Sequence, residues 1–178
     1  MGVVSPGVAN GAALVIGYGN ALRGDDAAGP EVAEAVAGRG MPGVQALTVP
    51  QLTPELAEVL AGARLAVFVD ASTGPEAGGV QVLPLRAAER PESLGHTSDP
   101  GLLLALAGAV YGRCPPAWIV RVPAVSFQLG AGLSPGAGRG IAAALREVVS
   151  LVAPADSGRG EAGDQLSATA PLQRKDCP

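Results

Sequence analysis

Residues 14–26 read Leu-Val-Ile-Gly-Tyr-Gly-Asn-Ala-Leu-Arg-Gly-Asp-Asp. An apolar run enters a glycine turn, and the turn delivers two adjacent carboxylates just ahead of a helical pattern. A glycine turn between a first strand and a helix usually invites a phosphate, because the helix start presents free N–H groups and positive potential. Here Asp25 and Asp26 fill that position with negative charge. They favour a cation over an anion and move the reading from nucleotide binding to metal binding.

Outward from this stretch the pattern alternates. Residues 12–16 predict a buried strand, residues 30–38 a helix with Pro30 in its first turn, and residues 43–49 a second strand. Thr53 and Pro54 read as the N-cap and first position of the next helix, with Leu56, Val59 and Leu60 on its apolar side. Residues 64–69 are a continuous apolar run, as expected of a central parallel strand covered on both faces, and the run ends at Asp70. Residues 79–85 alternate and contain Pro84, which predicts an edge strand. Residues 86–98 form a polar loop carrying His96, the only histidine. Ser98-Asp99-Pro100 starts a helix over residues 102–110, residues 117–122 are the last strand, and Ser134-Pro135 opens a final helix to about Val152.

The order β-α-β-α-β-β-α-β-α predicts a three-layer α/β/α domain. Its sheet is mostly parallel and twisted, with about five strands and one antiparallel edge strand. The expected domain is 1–154, with 1–11 a flexible N-terminus and 155–178, polar and aperiodic, a disordered tail.

Composition narrows the function classes. The chain has 178 residues, 48% hydrophobic and 16% charged, enough to fold around a core rather than stay disordered. Its net charge of −4, without a basic block, and an aromatic content of 3% argue against a nucleic-acid surface. The N-terminus has no basic n-region and no long apolar run, so no signal peptide or membrane span is expected. Cys114 and Cys177 are far apart and lack metal-ligand spacing, and read as reduced thiols of a cytoplasmic protein.

In a parallel α/β sheet, ligands bind at the carboxyl ends of strands near the topological switch point. Asp26 follows the first strand and Asp70 ends the third. If those strands are neighbours, about 4.8 Å apart, both carboxylates face one crevice. The loop with His96 can fold over the same edge, giving an O/O/N set with open positions for a substrate or water. Imidazole suits nickel, zinc, copper and iron. Each residue also has a plainer reading. A single loop histidine is commonly only solvated, an aspartate at a strand end commonly caps a turn, and an Asp-Asp pair before a helix serves as N-cap and dipole complement. Asp25 is the better candidate for the structural member of that pair.

Rival motifs fail on chemistry. Gly17 and Gly19 match two glycines of a dinucleotide fingerprint, but Leu22 holds the third position and the second strand ends in Thr48-Val49-Pro50 without an acid. Gly132-Leu-Ser134-Pro-Gly136 fits the spacing of a nucleophile elbow. However, Pro135 has no N–H for the oxyanion, so Ser134 reads as an N-cap. Cys114 precedes Pro115-Pro116 with only Arg113 nearby to lower its pKa, and reads as an ordinary thiol.

The segment Gly17-Tyr-Gly19-Asn20-Ala-Leu22-Arg-Gly-Asp25-Asp26 resembles the N-terminal signature of the nickel-iron hydrogenase maturation endopeptidases. Val67-Phe-Val-Asp70-Ala is similar to their second motif, Gly95-His96 to their third, and Gly132-Leu-Ser-Pro135 to their Gly-Leu-Thr/Ser-Pro segment. The resemblance covers about residues 12–152 and implies a phosphorylase/hydrolase-like fold. It implies an enzyme that removes the C-terminal extension of a hydrogenase large-subunit precursor once nickel is installed; a monomer that binds neither nucleic acid nor membrane is expected. By the same resemblance Asp26, Asp70 and His96 contact the metal, Asp26 or Asp70 serves as general base, and Gly17, Gly19 and Asn20 shape the loop. The nickel would come with the substrate, and zinc or cadmium would substitute in the free enzyme. No second histidine and no Glu beside His96 supply a self-sufficient zinc-protease motif. Ala27 replaces a frequent glycine, and Pro50-Gln-Leu-Thr-Pro54 replaces a segment often Gly-rich in relatives. A different class, a non-catalytic nickel-checking or metal-carrying module on this fold, stands as the alternative.

Overall fold

Successive side chains of a strand point to opposite faces, and both faces of the first strand are apolar. In a computed structural model of the chain, which describes residues 10–73, 79–88 and 99–153, that strand is β1 (Ala13–Tyr18) and all six of its residues are buried. Ala13 and Val15 face one helical layer, while Leu14, Ile16 and Tyr18 face the other. A strand that is apolar on both sides belongs in the middle of a sheet. β1 accordingly pairs in parallel with β2 (Val44–Val49) on one side and β3 (Leu65–Ser72) on the other. β3 pairs in parallel with β5 (Ala117–Pro123), and β4 (Gln81–Leu85) closes the far edge antiparallel to β5. The sheet order is β2-β1-β3-β5-β4. Pro84 sits in the edge strand, where its missing N–H costs no central ladder bond.

The helices complete three layers. α1 (Ala28–Ala37) and α4 (Pro135–Val152) cover the face of Val15, Val67, Val69, Val120 and Val122. α2 (Leu56–Gly62) and α3 (Pro100–Tyr111) pack together over Leu14, Ile16, Phe68 and Ile119. The architecture is the expected α/β one, mostly parallel with one antiparallel edge strand.

Several boundaries move, each for a local reason. The first helical segment begins earlier than residue 30. A 3-10 turn over Gly24–Ala27 contains both aspartates and runs straight into α1, where Pro30 falls in the first turn and removes no internal bond. α2 begins three residues after Thr53, which is not its N-cap. The Thr53 and Pro54 carbonyls accept from Leu56 N–H at 3.1 Å and Ala57 N–H at 3.0 Å, forming a turn ahead of the helix. The start of α3 matches its expectation. Asp99 is the N-cap, its Oδ1 accepting from Gly101 N–H at 2.7 Å. Arg64 donates to the Val152 carbonyl at 2.8 Å and satisfies an end carbonyl of α4.

Candidate functional site

The chain leaves β1 for β2 on one side, then returns to place β3 on the other. The topological switch point is therefore the crevice beyond the carboxyl ends of β1 and β3. Pairing of β1 with β3 stops at Gly17↔Val69, whereas pairing of β3 with β5 continues through Asp70↔Arg121 to Ser72↔Pro123. Asp70 is thus not the end of its strand, as the sequence suggested. It is an interior residue of β3 that β1 has stopped covering, so its side chain reaches the rim while its backbone stays in the ladder.

Two glycines set the geometry of the loop that follows β1. A Cβ on Gly17 would run into the Gly29 carbonyl oxygen of α1, so the helix can lie on the strand only where no side chain stands. Gly19 has φ +141°, and a Cβ there would strike the Asp26 carbonyl oxygen. The Asn20 side chain makes an Asx turn, its Oδ1 accepting from Leu22 N–H at 2.9 Å. Asn20 N–H in turn donates to Asp26 Oδ2 at 2.9 Å. Of the three residues expected to shape the loop, Gly19 and Asn20 wrap the backbone around the half-buried Asp26 side chain, whereas Gly17 sits inside β1 and contacts α1.

The adjacent aspartates have opposite fates. Asp25 is fully buried. Its Oδ2 accepts from Val125 N–H at 2.8 Å, Ser126 N–H at 3.1 Å and Ser134 Oγ–H at 2.9 Å, and its Oδ1 from Ser134 N–H at 2.6 Å. Burial alone would raise its pKa, but these donors outweigh it and hold the carboxyl below the ordinary carboxylate value. Asp25 is therefore not the helix cap that an Asp-Asp pair suggests. It bolts the first loop to the segment between β5 and α4. Ser134 is the N-cap of α4, as expected, with Oγ accepting from Ala137 N–H at 3.2 Å. The same hydroxyl spends its proton on Asp25, which leaves it no role as a nucleophile.

Asp70 is pushed the other way. Burial raises its pKa above the ordinary carboxylate value, and the negative charge of Asp26 adds to the rise. The Tyr18 hydroxyl, the Ala71 N–H and the charge of Arg121 oppose it without reversing it. The Asp26 charge reaches Asp70, as expected of a residue on the loop that follows the neighbouring strand β1. Tyr18, the last residue of β1, is buried and donates its hydroxyl to Asp70 Oδ2 at 2.9 Å. Burial first, then the Asp70 charge, raise the Tyr18 pKa strongly, so its hydroxyl stays protonated.

The structure brings Asp26, Gly19 and Asn20, on the loop after β1, to the same sheet end as Asp70 of β3, with Gly17 buried inside β1 and Asp25 buried beneath the loop. His96 lies outside the described residues, and among the described residues no group of three potential ligands could hold a metal ion. Tyr18 is not singled out by the motifs of the sequence. Its signal was available, since strand alternation puts it on the Leu14 and Ile16 face, where a polar tip needs a partner. Cys114 is half-buried and in no disulfide, and Cys177 is outside the described residues. Among the described residues no helix is long and apolar enough to cross a membrane.

The fold has clear counterparts among solved structures. The hydrogenase maturating endopeptidase HybD from Escherichia coli aligns with 79% of this chain and 91% of its own, at TM-score 0.64 and 24% identity. The [NiFe] hydrogenase maturation protease HycI from Thermococcus kodakarensis aligns with 79% of this chain and 92% of its own, at TM-score 0.63 and 22% identity. The HybD protease of the same archaeon aligns with 80% and 99%, at TM-score 0.59 and 20% identity. The chain thus has the α/β fold of [NiFe] hydrogenase maturation proteases over about four-fifths of its length. No protein-family model and no curated protein matches it.

Proposed function

We propose that this protein is an endopeptidase that removes the C-terminal extension of a nickel-iron hydrogenase large-subunit precursor after nickel insertion. One observation carries the reading: two carboxylates, Asp26 on the loop after β1 and Asp70 in β3, flank the switch point of a sheet whose solved counterparts are hydrogenase maturation endopeptidases. Asp26, Asp70 and His96 would contact the nickel that the precursor brings, and the scissile bond would lie beside it. The donor set fits that ion, since two carboxylate oxygens and an imidazole suit a divalent transition metal. Zinc or cadmium would occupy the same donors in the free protein.

The chemistry asked of this chain is activation of water against a peptide carbonyl. A carboxylate whose pKa is raised above its ordinary value is a stronger base than an ordinary one. Asp70, raised by burial and by the Asp26 charge, is suited to that task. Asp26 would hold the nickel side of the site, on a loop whose backbone is fixed around it. The cut would then report that metal insertion is complete.

The test is cleavage of a purified precursor, loaded or not loaded with nickel, followed by mass analysis of its C-terminus. Loaded precursor should lose its extension and unloaded precursor should not. Asp26→Asn and His96→Ala should each lower cleavage by at least about a hundredfold while the chain stays folded. Cleavage independent of nickel defeats the gating. Stable binding of loaded precursor without a product peptide assigns the chain to the non-catalytic alternative.

A further inference from the structure

Asp70 lies between two competitors. On the β1 side the Tyr18 hydroxyl donates to its Oδ2 at 2.9 Å. On the β5 side Arg121 is its cross-strand partner in the parallel register and is exposed. The Arg121 charge already acts on Asp70, but the hydrogen bond goes to Tyr18. Because the order is β1-β3-β5, the two partners pull in opposite directions. Asp26 follows β1, so only the Tyr18 side leads toward the second carboxylate.

We infer that Tyr18 is a positioning residue: its hydroxyl holds the Asp70 carboxylate on the β1 side, facing the crevice shared with Asp26, and keeps it out of an ion pair with Arg121. The inference rests on the proposed role of Asp70 and adds a residue to it. Three features make Tyr18 a rigid post. It ends a fully buried strand. Glycines flank it on both sides, and their backbones are locked, Gly17 against Gly29 and Gly19 against Asp26. Its ring belongs to the core layer with Leu14, Ile16 and Phe68. A phenol placed this way delivers one proton at one point. An ionised carboxylate has about four acceptor sites, and the single hydroxyl of Tyr18 occupies one, so capacity for a substrate metal or water remains. An arginine fork, which takes both carboxylate oxygens at once, would leave much less.

Tyr18→Phe removes the hydroxyl and keeps the ring in the core. In that variant Asp70 should turn toward Arg121, and kcat for loaded precursor should fall roughly ten- to a hundredfold, as a misplaced reacting group costs. KM should stay within about twofold, because precursor docking does not pass through the hydroxyl. Tyr18→Phe/Arg121→Gln, compared with Arg121→Gln alone, should recover most of the lost kcat, which simple loosening of the core would not allow. The χ1 rotamer of Asp70, read from NMR side-chain couplings on the free protein, should be single in the wild type and switched or averaged in Tyr18→Phe. An unchanged kcat, an unchanged Asp70 rotamer, or a double variant no better than Tyr18→Phe overturns the inference. If the wild type cleaves no precursor, the function proposed above fails instead, and the couplings still decide whether Tyr18 positions Asp70.

Discussion

Replacing Asp25 by asparagine tests whether this carboxylate is the bolt between the two loops. The side chains have the same shape, so no cavity forms and the change is one of donors and acceptors. Three donors converge on Oδ2 and one on Oδ1. The amide oxygen can take the Oδ2 position and keep the three bonds in weaker, neutral form. Its NH2 then faces the Ser134 N–H, donor against donor, where a bond of 2.6 Å had been. Hydrogen bonds to a charged group are worth about 1.5–3 kcal/mol net, and a buried donor left unmet costs about 1–3 kcal/mol. One lost bond and three weakened ones sum to roughly 2–4 kcal/mol, or about 6–12 °C in Tm for a domain of this size. The pH dependence adds a second, independent reading. The folded pKa of Asp25 lies below its ordinary 3.8, so its stabilisation is full above that value and is lost as pH falls through the lower folded pKa. Urea melts of wild type and Asp25→Asn should therefore differ widely at neutral pH and converge in strong acid. A variant within about 0.5 kcal/mol of wild type at neutral pH, the scatter of an ordinary surface change, or a gap that persists unchanged into acid, refutes the bolt.

The same geometry fixes two further outcomes. Gly17→Ala drives a methyl group into the Gly29 carbonyl and toward Ala33 Cβ, so α1 must move off the sheet. Thermal melting should show a loss of about 1–3 kcal/mol, and an unchanged Tm means that helix and strand do not touch as described. Asp70→Asn should melt higher than wild type at neutral pH while cleavage is lost. The raised folded pKa of Asp70 means that its charged form costs stability above that pKa, and the advantage of the neutral amide should vanish once acid protonates Asp70. A variant less stable than wild type at neutral pH contradicts that burial penalty.

The fold was legible because its signals are backbone signals. Periods of two and of about four, the proline in β4 and the Ser134 and Asp99 caps state local preferences that tertiary packing did not override. The differences fall where a neighbouring turn or a distant partner takes up a local signal. Thr53-Pro54 has the chemistry of a helix start, yet the chain spends it on a turn. Asp25 has the chemistry of a cap, yet its partners lie about a hundred residues on, at Val125, Ser126 and Ser134. Asp70 looked like a strand end because the apolar run stops there. The strand continues because β5 still pairs with it after β1 has turned away. Tyr18 is legible only in part, since strand alternation gives a buried ring whose polar tip needs a partner but not which carboxylate its hydroxyl will meet.

On the proposed reading, the different surroundings of Asp25 and Asp26 give each acid a task the other could not do. A carboxylate that must present free oxygens at a rim cannot also hold the rim together, because each internal bond removes a lone pair. Asp25 accepts four bonds, is fully buried and is held ionised by them. Asp26, one residue on, accepts from Asn20 N–H, and on the proposed reading its other acceptors serve what enters the crevice. Asparagine or alanine at the two positions should therefore fail differently. At Asp25 the loss should be of stability, with cleavage falling as the loops part. At Asp26 the loss should be of cleavage in a chain that melts like wild type. A thermal melt and a precursor assay on the same two variants distinguish these outcomes. If Asp26→Asn melts as low as Asp25→Asn, both acids are structural and the rim has no free carboxylate on the β1 side.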